Sequence, residues 1–274
     1  MPTIQINQKE CFYQDVGQGY PLLFGHSFLW SCAMWEPQVK ALSTQYRCIV
    51  PDLWDHGKSG HLQDNQTSME ALADHYLELM GKLGFEKFAI VGLSAGGMWG
   101  AKMTLKRPDA VQALVLMDTF VGEEPEATQR KYFAIMDCVE KGLGFSDAII
   151  DQVAPIFFSP KTLTDKAHLV SYFRCQLADI PKDNIPGVVT LGRAIFSRPS
   201  CLEELSQIAI PSLVIVGNDD IPRPRKEAQE MVSRLPNGRL ATVEDAGHIC
   251  TLEQPDIVNK ILSEFLQKNC QESR

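Results

Sequence analysis

Residues 87–106 read KFAIVGLSAGGMWGAKMTLK. Phe88 to Val91 is an apolar run short enough to be a buried strand. Gly92-Leu93-Ser94-Ala95-Gly96 follows with no spacer. Ala95 to Lys106 then carries Met98, Ala101, Met103 and Leu105 in a helical pattern, which Arg107-Pro108 ends. A serine on so tight a turn is held clear of strand and helix, with its hydroxyl open to a substrate. The flanking glycines suit a strained, crowded backbone. The helix start behind Ser94 adds unpaired N–H groups and the positive end of a dipole, both useful to a developing oxyanion. G-x-S-x-G alone is a common pentapeptide; the strand before it and the helix after it make it informative.

On the N-terminal side, Thr3 to Asn7 and Cys11 to Gln14 suggest a hairpin closing through Asn7-Gln8. Pro21 to Gly25 and Cys48 to Val50 read as core strands, with an amphipathic helix over Cys32 to Ser43 between them. Ser68 caps a helix through Leu83, stopped by Gly84. Two apparent phosphate motifs fail. Gly17-Gln18-Gly19 has Leu22 where a third glycine belongs, and Gly57-Lys58-Ser59 has Asp52 where a P-loop needs glycine.

On the C-terminal side, Val111 to Met117 is a strand ending at Asp118. Strand and helix alternate to this point as in a parallel sheet with helices on both faces. The rhythm breaks near Gly122. Ala127 to Lys141, Phe145 to Ala154 and Thr164 to Leu177 look helical, with prolines and aromatics between them. The expected organisation is a core of residues 1–121 and 206–274, with residues 122–205 as a helical cap over the carboxyl edge of the sheet. Most of its aromatics glue the cap to the core; Phe157 and Phe158 are candidates for a pocket lining. The sheet resumes at Ser212 to Val216 and closes with a helix at Pro224 to Leu235, a strand at Arg239 to Val243 and a helix at Pro255 to Leu266, beyond which the tail is expected to fray.

Composition narrows the class. The chain has 274 residues, 45% hydrophobic, and a net charge of -8, which argues against a general nucleic-acid binder. MPTIQINQKE does not read as a signal peptide, and no apolar run is long enough to span a bilayer. The eight cysteines form no CxxC pair and read as reduced, mostly buried thiols of a cytoplasmic protein. No zinc or redox cysteine motif is present.

Ser94, an aspartate of Asp219-Asp220 and His248 fall at the ends of core strands, where parallel sheets place ligands. Serine needs a base to take its proton, and that base needs an acid to fix its tautomer. The order Ser, Asp, His is that of α/β-hydrolases. The chain resembles that family from about Tyr20 to Leu266, on the segments GHSFLW, DLWDHGKS, GLSAGG, VGNDDIPRP and AGHICTLEQP. Its nearest likeness is to the small carboxylesterase and enol-lactonase branch with a helical lid.

The resemblance implies a cofactor-free serine esterase or lactonase with Ser94, Asp220 and His248 as its triad. Asp219 is the alternative acid, and Asp118 a weaker one. An oxyanion hole would use the N–H groups of Ala95 and, by family register, Phe28. Ser27 stands where the family has glycine, which puts the loop geometry in question. His26 organises that loop, and it and Trp30 are further pocket candidates. C–C bond hydrolysis or perhydrolysis on the same fold, and a non-catalytic small-molecule binding module, are the competing readings.

Overall fold

The computed structural model describes residues 2–61 and 67–270. Eight strands form one sheet in the order β1-β2-β4-β3-β5-β6-β7-β8. β1 (Thr3–Ile6) and β2 (Lys9–Val16) are the hairpin, antiparallel, with Asn7 and Gln8 both at positive φ in its turn. β2 joins β4 (Tyr46–Pro51) antiparallel. From there β3 (Tyr20–Gly25), β5 (Phe88–Leu93), β6 (Val111–Met117), β7 (Ser212–Gly217) and β8 (Gly238–Val243) run parallel. β5 and β7 are buried along their whole length, as strands covered on both faces must be, whereas the edge strand β8 is mostly half-exposed.

Helices cover both faces. α1 (Glu36–Leu42) packs with α11 (Pro255–Asn269), and α2 (Met69–Lys82) packs with α3 (Ala95–Lys106). α9 (Arg225–Arg234) lies on β7 and β8, and the short α10 (Cys250–Glu253) precedes α11. Ser68 caps α2 by accepting the Ala71 N–H, and Gly84 ends the helix with φ 80°.

Between β6 and β7 come α4 (Glu126–Gly142), α5 (Asp147–Val153), α6 (Pro160–Asp165), α7 (Ala167–Ala178) and α8 (Ile185–Phe196). α4 packs against α8. Four details differ from the sequence reading. The helix expected over Cys32 to Ser43 is a 3-10 turn at Cys32–Trp35 followed by α1, because Pro37 has no N–H to continue the ladder. The helix expected from Thr164 is two, broken where Lys166 leaves helical geometry at φ -122° and ψ 45°. α8 was not foreseen. α11 continues past Leu266 to Asn269, and the last four residues of the expected tail lie outside the described residues.

All eight cysteines are free, six of them buried. Among the described residues, no helix is long and apolar enough to cross a membrane.

Candidate active site

Ser94 sits between β5 and α3 with φ 54° and ψ -117°, a conformation that costs a non-glycine residue about 1–3 kcal/mol. Surrounding contacts hold it there. Its N–H donates to Met117 O at 2.9 Å, and its carbonyl accepts the Thr119 hydroxyl at 2.7 Å. The glycines are required by crowding: a Cβ on Gly96 would stand 2.0 Å from Gly25 O, and one on Gly92 2.4 Å from Gly96 O. Ala95 is the first residue of α3, where a backbone N–H has no partner within the helix.

The loop after β3 faces Ser94. Trp30 N–H donates to Ser27 O at 3.1 Å, closing a turn in which Leu29 takes φ 68°. Ser27 is not at positive φ, so the glycine missing there is not needed for backbone geometry; Leu29 carries the strain instead. The turn's own hydrogen bond does not use the Phe28 N–H, and the next amide, Leu29, donates to His56 Nε2 at 3.2 Å.

Two histidines brace this loop. His26 has Nδ1 at 2.8 Å from Ser27 O and Nε2 accepting the Leu53 N–H at 2.7 Å. His56 has Nδ1 at 2.8 Å from Trp54 O. Each ring donates at Nδ1 and accepts at Nε2, the pattern of a neutral imidazole. Burial lowers both to about 4, with the neighbouring ring adding to the effect at His56.

His248 follows β8 and is buried. Its Nδ1 lies 3.0 Å from Asp220 Oδ2 and 3.2 Å from Oδ1. Asp220 is buried, while Asp219 is exposed. Glu253, wholly buried, fixes the His248 loop by accepting the Gly247 N–H at 2.7 Å and the Ser159 N–H at 2.8 Å. Behind them lies Asp118, also wholly buried, whose Oδ1 accepts the Gly217 N–H at 2.8 Å and whose carboxyl also meets the Cys250 thiol. Burial, and then the charge of Asp220, push the Asp118 carboxyl well above its usual range, which favours its protonated form.

Ser94 and His248 line one cavity of about 70 Å³. Ser27, Phe28, Leu29 and Met98, and Tyr132, Ile135, Met136, Val153, Ile156, Phe157, Ile195 and Phe196 from the helical stretch between β6 and β7, form most of its wall, with Pro222 and Arg223 completing it. Of the expected pocket residues, Phe157 is present, and its ring also packs edge-on against His248 at 5.4 Å. His26, Trp30 and Phe158 are not part of this wall, which corrects that expectation. His26 is spent on the loop. Trp30 stacks on Phe173 at 4.5 Å and lines a separate cavity, and Phe158 is buried against both Trp30 and Phe173. Sequence reasoning missed Arg223 and the two residues that answer its charge, Glu124 and Glu227. No local pattern marks them.

The mostly parallel sheet with helices on both faces is the α/β-hydrolase fold. Residues 20–139 match the family model described as the alpha/beta hydrolase fold. The chain is 27% identical over 245 residues to a provisionally named carbamate hydrolase, RutD, of Agrobacterium fabrum, covering 86% of this chain and 88% of that protein. It is 25% identical over 265 residues to 3-oxoadipate enol-lactonase 1 of Acinetobacter baylyi, covering 97% of this chain and 92% of the relative. A thermophilic esterase from Thermogutta terrifontis superposes with a TM-score of 0.88 at 28% identity, covering 97% of this chain and 98% of that one. These likenesses support a hydrolase role.

Proposed function

We propose that the protein is a serine hydrolase that cleaves a small to medium carboxylic ester or lactone through an acyl-enzyme intermediate. One observation carries this reading. Ser94, on its strained turn, and His248 line the same apolar cavity, while Asp220 meets Nδ1 of His248.

In this reading Ser94 Oγ attacks the carbonyl carbon and gives its proton to His248 Nε2. Asp220 holds the proton on Nδ1 and stabilises the imidazolium. The carbonyl oxygen, now an oxyanion, accepts from the N–H groups of Ala95 and Phe28. The C–O bond breaks, and His248 returns the proton to the leaving alkoxide. Water, deprotonated by His248, then attacks the acyl-enzyme, the bond to Ser94 Oγ breaks, and His248 returns the proton to Ser94 as the acid leaves. No metal or cofactor enters any step. Residues 122–205 act as a cap, supplying half of the cavity wall. A cytoplasmic setting suits the eight free thiols.

The carbamate-hydrolase names among the relatives favour a second reading, C–N cleavage by the same residues. The apolar wall weighs toward ester or lactone, since a small carbamate offers little apolar surface to it.

Labelling with a fluorophosphonate, read by intact mass, tests the proposal. One adduct on the wild type and none on Ser94→Ala is expected. No adduct on folded wild-type protein would refute an activated serine at this site.

A further inference from the structure

We propose that Glu124 sets the acyl specificity of this cavity: by neutralising Arg223 it makes the site take uncharged, apolar acyl groups and reject those ending in a carboxylate. The inference rests on the acyl-transfer reading above and names the substrate class within it.

Among the described residues, Arg223 is the one permanently charged residue in the cavity wall. An arginine there would ordinarily attract a carboxylate. Its guanidinium is already engaged by carboxylates. Nη2 of Arg223 stands 2.7 and 2.6 Å from the two oxygens of Glu124, and Nη1 stands 3.4 Å from Glu227 Oε2. The Arg223 and Glu124 side chains are only 4% and 2% exposed. Glu124 is itself held by Arg198, whose Nη1 donates to it at 3.1 Å and to Ile195 O at 2.8 Å, and whose Nε donates to Phe120 O at 3.2 Å. The arginine therefore cannot turn to a ligand without breaking a buried pair. An entering carboxylate would shed its water among Ile135, Met136, Ile195 and Phe196 and, among the described residues of the wall, meet no cation without a carboxylate partner.

The test compares p-nitrophenyl hexanoate with the mono-p-nitrophenyl ester of adipic acid, the same chain bearing a terminal carboxylate. Wild type is expected to prefer hexanoate by at least about 100-fold in kcat/KM, the scale of leaving a buried charge unpaired. Equal turnover, or a preference for the adipate ester, overturns the inference and leaves the serine-hydrolase reading intact. Glu124→Gln removes the two short ion-pair contacts and leaves Arg223 only the longer one to Glu227, and the ratio should move at least about tenfold toward the adipate ester. A variant that loses activity on both esters equally, with the ratio unchanged, would give Glu124 a structural role only and also overturn the inference. If wild type turns over neither ester, the fluorophosphonate label decides the acyl-transfer reading separately. Calorimetric binding of the two intact esters to Ser94→Ala then decides: heat from hexanoate alone supports the selectivity, and equal binding sinks it.

Discussion

Asp220 Oδ1 stands 3.2 Å from His248 Nδ1 and accepts the Arg223 backbone N–H at 2.9 Å, while Oδ2 stands 3.0 Å from the same nitrogen. The carboxylate is thus held from its own loop before it reaches the imidazole. Its neighbour Asp219 is exposed, with its backbone N–H bonded to Ala246 O at 2.9 Å.

This contrast ranks two substitutions. Asp220→Asn should lower kcat on an aryl ester by on the order of 10³–10⁴, because an amide cannot hold the productive tautomer. Asp219→Asn should stay within about twofold, as expected of a surface change. Steady-state kinetics on both variants checks this, and the reverse order would move the acid to Asp219.

Asp118 is expected to behave as a neutral group. Asp118→Asn keeps an oxygen for the Gly217 N–H and removes no charge, so stability should change by less than about 1 kcal/mol and kcat by less than about threefold. Asp118→Ala strands a buried N–H and should cost about 1–3 kcal/mol. Chemical denaturation gives both values. A large loss from Asp118→Asn would show that this carboxyl is ionised in the folded protein.

The buried pair His26 and His56 makes the fold acid-sensitive. In the unfolded chain each histidine takes a proton near pH 6.5, but in the folded protein burial delays this to about 4. Between those values the unfolded state binds more protons, so the free energy of unfolding falls as pH drops from 6.5 toward 4. The full loss is on the order of 3 kcal/mol per histidine, and not additive because the rings influence each other. Urea denaturation at pH 7.5, 6 and 5 measures it; a midpoint that does not fall over this range would show that these rings are not buried neutral.

The sequence was most legible where local chemistry decides the structure. β5, Ser94 and α3 follow from an apolar run, a glycine-flanked serine and a helical period, and their limits were close to those observed. α8 was hidden by Pro186, two glycines and β-branched Val188, Val189 and Thr190, which read poorly as helix. Tertiary packing overrides that weakness: Ile185, Val188, Val189, Leu191 and Ile195 are buried, and α8 lies against α4. Pro186 falls in the first turn, where its missing N–H does no harm. Asp220 was separable from Asp219 only through family register. The Glu124, Arg198 and Arg223 cluster joins residues 74 and 99 positions apart, a juxtaposition that only the fold creates.

The approach of β3 to α3 gives the sharpest prediction. Gly96 and Gly25 meet backbone to backbone, with no side-chain atom to swing aside, and a Cβ on Gly96 would fall 2.0 Å from Gly25 O. Gly96→Ala must push the start of α3 away from the end of β3. Stability should fall by about 3 kcal/mol or more, at the upper end for overpacking. The same shift separates Ala95, on α3, from Phe28, on the loop that leaves β3. If both amides stabilise one oxyanion, kcat should fall by about 10²–10³ even at temperatures where the variant is fully folded. Thermal denaturation and initial rates on folded protein measure the two effects separately. A destabilised variant with wild-type kcat would mean that the oxyanion site does not span these two elements.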